Sequence, residues 1–132
     1  MTILLKTVDK VPGANAVEGP PLSFKVRHVC AREIVRARVE IEVERYNSDD
    51  HAGGFLDLVV PPRQERELNG ARRQRRKTLD VDAQVKTALE AVRKGRVIIL
   101  FNGVQVSDLD APLLVTPISE ARFLRLVPLA GG

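Results

Sequence analysis

Gly131 and Gly132 follow a segment, Arg122 to Val127, whose alternation reads as a β-strand. Glycine has no Cβ, so its backbone can pass a narrow channel and lie against a nucleotide without clashing. The chemistry such a tail could do is acyl transfer, with a terminal carboxylate handed to another protein's active site. That carboxylate is ionised at neutral pH (pKa about 3.5) and is a poor electrophile. It needs activation, most simply as an acyl-adenylate. Gly131 would supply room, and Pro128 would end strand pairing and keep the exit extended through its fixed φ. The alternative is an inert end, since termini rich in small residues are common.

Other residue types offer less. Cys30 falls at the predicted start of the first helix, where the helix dipole lowers a thiol's pKa. No second catalytic group adjoins it in sequence, so it reads as a buried, inert cysteine. His28 and His51 are isolated, and Asp49-Asp50-His51 lacks the spaced partners of a zinc or calcium site, so no metal is expected. No Ser/His/Asp set, phosphate loop or paired-carboxylate arrangement is visible. The chain is therefore expected to be no enzyme and to carry no cofactor of its own. The run Arg72, Arg73, Arg75, Arg76 and Lys77 could meet phosphate backbones by counterion release, but it has no interleaved aromatics to stack bases. A solvated loop, or an acidic surface on a partner protein, is favoured over a nucleic acid, and arginine's fixed fork suits carboxylates on a partner enzyme.

These groups sit in a chain of 132 residues with 44% hydrophobic residues, enough for one core. No window approaches the roughly 18 consecutive apolar residues of a membrane span. The N-terminal Met1-Thr2-Ile3-Leu4-Leu5-Lys6 is too short and ill-ordered for a signal peptide and reads as a strand. A single cysteine excludes an intramolecular disulfide and fits a reducing cytoplasm. The net charge of +4 is uneven: residues 61 to 79 hold seven basic side chains against Glu65 and Glu67. The basic character belongs to one segment.

The elements that must position the tail follow from periodicity. Residues 2 to 8 and 22 to 29 read as strands, joined by a connection with Pro12, Gly13, Gly19, Pro20 and Pro21. Residues 31 to 46 fit two patterns. Val35, Ala37, Val39, Ile41 and Val43 alternate with charged residues, as in a strand, yet Val35, Val39, Val43 and Tyr46 also share a helical stripe, with Ile34, Ala37 and Ile41 on a second. Residues 48 to 79 form an irregular basic insertion. The clearest helix spans 80 to 94, with Asp80 or Thr78 as N-cap and Gly95 past its end. Val97 to Phe101 is a buried-looking strand, Asn102-Gly103 a hairpin turn, and Val104 to Val106 the return.

From Val97 onward the sequence resembles the sulfur-carrier proteins of molybdopterin and thiamine synthesis. The residues concerned are Phe101-Asn102-Gly103-Val104, Asp110-Ala111-Pro112-Leu113, Ala121-Arg122-Phe123 and Pro128-Leu129-Ala130-Gly131-Gly132. The complete chain looks more like bacterial ubiquitin-like proteins encoded beside activating, conjugating and deconjugating enzymes. Those share a helix of the type at Arg32 to Val39 and a Val-Pro-Leu-x-Gly-Gly tail. The resemblance implies one α+β domain over residues 1–132, a ubiquitin-like β-grasp with a mixed sheet packed on a helix. The insertion and second helix fall between the first helix and third strand, and residues 128–132 form an extended tail. This topology selects a helix over a strand at residues 31 to 46.

The same resemblance implies that Gly132 is an acyl donor. An E1-like enzyme would recognise Val127, Pro128, Leu129, Ala130 and Gly131, adenylate the carboxylate with ATP, and pass it as a thioester to an E2-like enzyme and then to target proteins. A deconjugating protease would reverse the step. Ubiquitin carries arginines in its tail where this chain is apolar, so the activating enzyme must read an apolar tail. Two other functions compete: a sulfur carrier with a C-terminal thiocarboxylate, and a nonconjugated β-grasp binding module using the basic insertion. Sulfur carriers are about 50 residues shorter and lack a counterpart to residues 48 to 79. Six lysines (Lys6, Lys10, Lys25, Lys77, Lys86 and Lys94) are available, and none is marked as an acceptor.

If the first helix has two apolar stripes, a sheet can cover only one. Val35, Val39 and Val43 are expected to face the sheet, and Ile34, Ala37 and Ile41 to be covered by Phe55, Leu56 and Leu58 of the insertion.

Overall fold

A computed structural model describes residues 1–48 and 78–126. Strand β1 (Ile3–Lys10) turns through a long loop into β2 (Val17–Glu18) and β3 (Leu22–Phe24), both antiparallel to it. A short strand, β4 (His28–Val29), precedes helix α1 (Ala31–Asn47). Helix α2 (Val81–Arg93) leads to β5 (Val97–Phe101) and β6 (Val104–Gln105). Strand β7 (Leu113–Leu114) pairs with β4, and β8 (Glu120–Arg125) comes last. The main sheet is ordered β2-β1-β8-β5-β6, with β3 beside the first half of β1. Strand β8 lies parallel to β1 and antiparallel to β5, giving an α+β arrangement with a mixed sheet packed on helices.

Period-two alternation puts Ile3, Leu5, Ala121, Phe123, Val97, Ile99 and Phe101 on the helix side of the sheet, all buried. Helix α1 wins the contest at residues 31 to 46 because its buried positions recur at three and four residues: Ala31, Ile34, Val35, Arg38, Val39, Glu42, Val43 and Tyr46. Ile34, Val35, Val39 and Val43 are all buried in one core cluster, and Ala37 and Ile41 pack against it, half-buried. Helix α2 lies alongside α1. Arg36 bonds Asp82 at 2.8 Å, and the Asn47 amide both accepts from the Leu79 N–H and donates to its carbonyl. The cover expected from Phe55, Leu56 and Leu58 lies outside the described residues, as does the basic insertion from residue 49 to 77.

Local signals account for the ends of the elements. Asp80 caps α2 by accepting from the Ala83 N–H at 2.9 Å, and Gly95 follows with φ +75°. Asn102 and Gly103, at φ +51° and +84°, make the tight β5–β6 turn. Residues 22 to 29 do not form one strand. Phe24 pairs with Ile3, the first residue of β1, the pairing does not continue onto Thr2 and Met1, and Val29 pairs with Leu113 instead. Cys30 is half-buried at the N-cap of α1 rather than buried, with its N–H bonded by the Glu33 carboxylate at 3.1 Å. Among the described residues no helix is long and apolar enough to cross a membrane.

Candidate functional site

Everything the tail could do depends on the strand that carries it. Glu120 to Arg125 form β8, paired to β1 on one side and β5 on the other. The ladder persists one residue further, where the Leu126 N–H donates to the Arg96 carbonyl at 2.8 Å. A strand with both edges paired is held along its length, so the chain is anchored up to Leu126. The tail residues Val127, Pro128, Leu129, Ala130, Gly131 and Gly132 lie outside the described residues, as do Arg72, Arg73, Arg75, Arg76, Lys77 and His51.

Beneath β8 the anchor is ionic as well as apolar. The Arg38 guanidinium lies 5.2 Å from the centre of the Phe123 ring, itself 1% exposed. Arg38 makes two bonds of 2.8 Å to Asp9 on β1, and its Nε donates to Glu42 one turn along α1. Thr7 donates to the Pro20 carbonyl at 2.7 Å, and Gly19 fits where a Cβ would stand 2.6 Å from the Thr7 hydroxyl. Sequence reasoning missed this group. Asp9 lies just past the strand read at residues 2 to 8, and Arg38 and Glu42 are among the charged residues that alternate with Val35 to Val43. The usable signal is the i, i+4 placement of Arg38 and Glu42 within the stripe of Ile34, Val35, Val39 and Val43.

Register brings three basic residues to the end of β8, with Arg125 in line with the helix-side residues and Lys10 on the opposite face. Lys10 is the Cα partner of Leu124, Arg125 is the partner of Val97, and Arg96 accepts the last ladder bond. Lys10 is tied back by donating to the carbonyls of Val11 and Ala14, whereas Arg96 is exposed. The sheet face turned away from the helices carries Val8, Leu124, Ile98 and Leu100, in two rows: Val8, Arg122 and Leu100 in one, and Lys10, Leu124 and Ile98 in the next. Lys6 and Glu120 continue the face beyond Arg122, with Glu120 4.0 Å from Lys6 and 3.7 Å from Arg122. An apolar strip beside a basic strand end can take a partner with an apolar ridge and a carboxylate or phosphate at its margin. These residues are scattered over the sequence, and only the β1–β8–β5 pairing assembles them.

Arg32 holds Asp110 with bonds of 2.8 and 3.3 Å, both groups exposed. The Arg32 hydrogen bond keeps the Asp110 carboxyl below its ordinary value. His28 is exposed on β4, and among the described residues no group of three or more His, Cys, Asp or Glu could hold a metal ion. No family profile, curated protein or solved structure matches this chain.

Proposed function

We propose that the chain is a ubiquitin-like protein modifier with a β-grasp fold, working in the cytoplasm, and that Gly132 is its acyl donor. The observation that supports this most is the position of β8. The central strand, parallel to β1 and paired on both edges, runs directly into the Val127–Gly132 tail. A central strand gives the tail a firm root, and Gly131-Gly132 gives it a slim end.

The reaction sequence on this reading is as follows. A Gly132 carboxylate oxygen attacks the α-phosphate of ATP in an E1-like enzyme, and pyrophosphate leaves. A cysteine thiolate of the activating enzyme then attacks the acyl carbon and AMP leaves, forming a thioester. Transfer to the cysteine of an E2-like enzyme and then to an amine or hydroxyl of the target releases each thiolate in turn. The half-buried Leu124, Ile98 and Leu100, with Arg122 beside Leu100 and Arg96 and Lys10 at the strand end, are the surface an activating enzyme would grip while taking the tail. A deconjugating protease would hydrolyse the product bond.

Incubation with the cognate activating enzyme and ATP tests the reading. An adenylate followed by a thiol-labile adduct is the expected result, and neither should form with a chain lacking Gly132. Charging of the truncated chain would refute the proposal. The sulfur-carrier alternative rests on the resemblance from Val97 onward. Its sign would be a stable mass increase of one oxygen replaced by sulfur at the C-terminus of protein from the native host.

A further inference from the structure

Strand β6 is the edge of the sheet, paired to β5 alone. Phe101 and Val104 flank the two-residue turn, and the Val106 N–H donates to the Ile99 carbonyl at 2.9 Å. Hydrogen-bonded and non-hydrogen-bonded pairs alternate along an antiparallel ladder. Gln105, between Val104 and Val106, therefore turns its own N–H and C=O away from β5, toward the open edge.

An apolar groove of about 670 Å³ lies beside that edge, lined by Phe101, Val104, Val106, Leu113, Leu114 and Ile118. Val104 is 69% exposed, Leu114 50% and Ile118 93%, so large apolar side chains stand open to water around one concavity. Asp108 is the one charged group among the described residues of its lining. Its Oδ1 accepts the Asp110 N–H at 2.9 Å, which leaves Oδ2 for a cation.

We propose that this edge and groove bind an extended segment of a partner protein. That segment carries apolar side chains at alternate positions and one basic side chain opposite Asp108. Its backbone pairs with the outward N–H and C=O of Gln105. Val104 and Val106 share the groove side of the strand, so an added strand points every second side chain the same way, into the groove. Charge selects the occupant. A lone carboxylate in an apolar lining favours a single lysine or arginine, and pairing two β6 edges of this chain would put Asp108 of both copies in one interface. The site is independent of the chemistry at Gly132.

The test uses an array of seven-residue peptides with Val, Leu, Ile or Phe at alternate positions and one Lys in place of one of these, on the same face, probed with the full chain. A subset should bind and slow the hydrogen exchange of the Gln105 amide. N-methylation of alternate peptide nitrogens, or Ile118→Ser in the protein, should each weaken those binders by roughly tenfold or more. Asp108→Asn keeps the acceptor for Asp110, so it should weaken only lysine-bearing peptides. Three results would overturn the proposal: no peptide binds, binders ignore both N-methylation and Ile118→Ser, or the groove resonances shift with protein concentration alone, which would mean self-association.

Discussion

Arg38 on α1 and Asp9 on β1 are joined by two parallel hydrogen bonds of 2.8 Å, with side chains 0% and 4% exposed. Together with Glu42 they place one cation and two carboxylates under Phe123 of β8. Burial works against the charged guanidinium, but the Asp9 hydrogen bond and the Glu42 and Asp9 charges outweigh it, so the Arg38 pKa is raised. A raised value for a base means its stabilising effect is present below the ordinary arginine value and is lost only as pH rises through the folded one. Arg38 is thus a fixed charge over the whole working range.

Removing that charge should be costly. Arg38→Met leaves Asp9 and Glu42 buried without their shared cation, and a loss of about 3–5 kcal/mol is expected in denaturant unfolding. The deficit should narrow as pH is lowered from about 7 to about 4, because protonation relieves buried carboxylates that have lost the Arg38 charge. A pH-independent loss below about 1 kcal/mol would mean that the cluster contributes packing alone.

Gly19 reports on the same cluster from the other side. An alanine Cβ there would stand 2.6 Å from the Thr7 hydroxyl and 3.1 Å from both Arg38 and Asp9. Gly19→Ala should lower stability by about 1–3 kcal/mol, read in the same unfolding assay. Paired with Thr7→Ala, which removes the closest obstruction, the cost should fall well below the sum of the two single changes.

The sequence was legible where a period ran uninterrupted. Helix α2, with Asp80 before it and Gly95 after it, and the Asn102-Gly103 turn depend on neighbours a few residues away. Helix α1 was legible only through the order of elements, because Val35 to Val43 alternate with charges as in a strand. The structure resolves the conflict by burying two of those charges, Arg38 and Glu42. Their third partner, Asp9, is 29 residues from Arg38. No local pattern carries such a pairing. The basic strand end and the apolar strip were hidden for the same reason, since Lys10, Arg96 and Leu124 meet only through β1–β8–β5 register. The break at residues 25–27 was hidden because it depends on where β1 begins.

The Arg32–Asp110 pair gives a pH-dependent signal. With its pKa depressed, Asp110 contributes stability above its ordinary carboxylate value and loses it as pH falls through the folded one. An NMR titration should find Asp110 protonating at lower pH than a free aspartate. Arg32→Ala should move that midpoint upward with little change in stability, because both side chains are exposed.

The acyl-donor role of Gly132 is tested most directly in the native host. The chain would carry an N-terminal epitope, and captured adducts would be digested and sequenced by mass spectrometry. We expect heavier species in which the Gly132 carbonyl is joined to an amine or hydroxyl of another protein, and their complete loss when Gly132 is deleted. Recovery of the free chain alone, or adducts that survive the deletion, would contradict the modifier function.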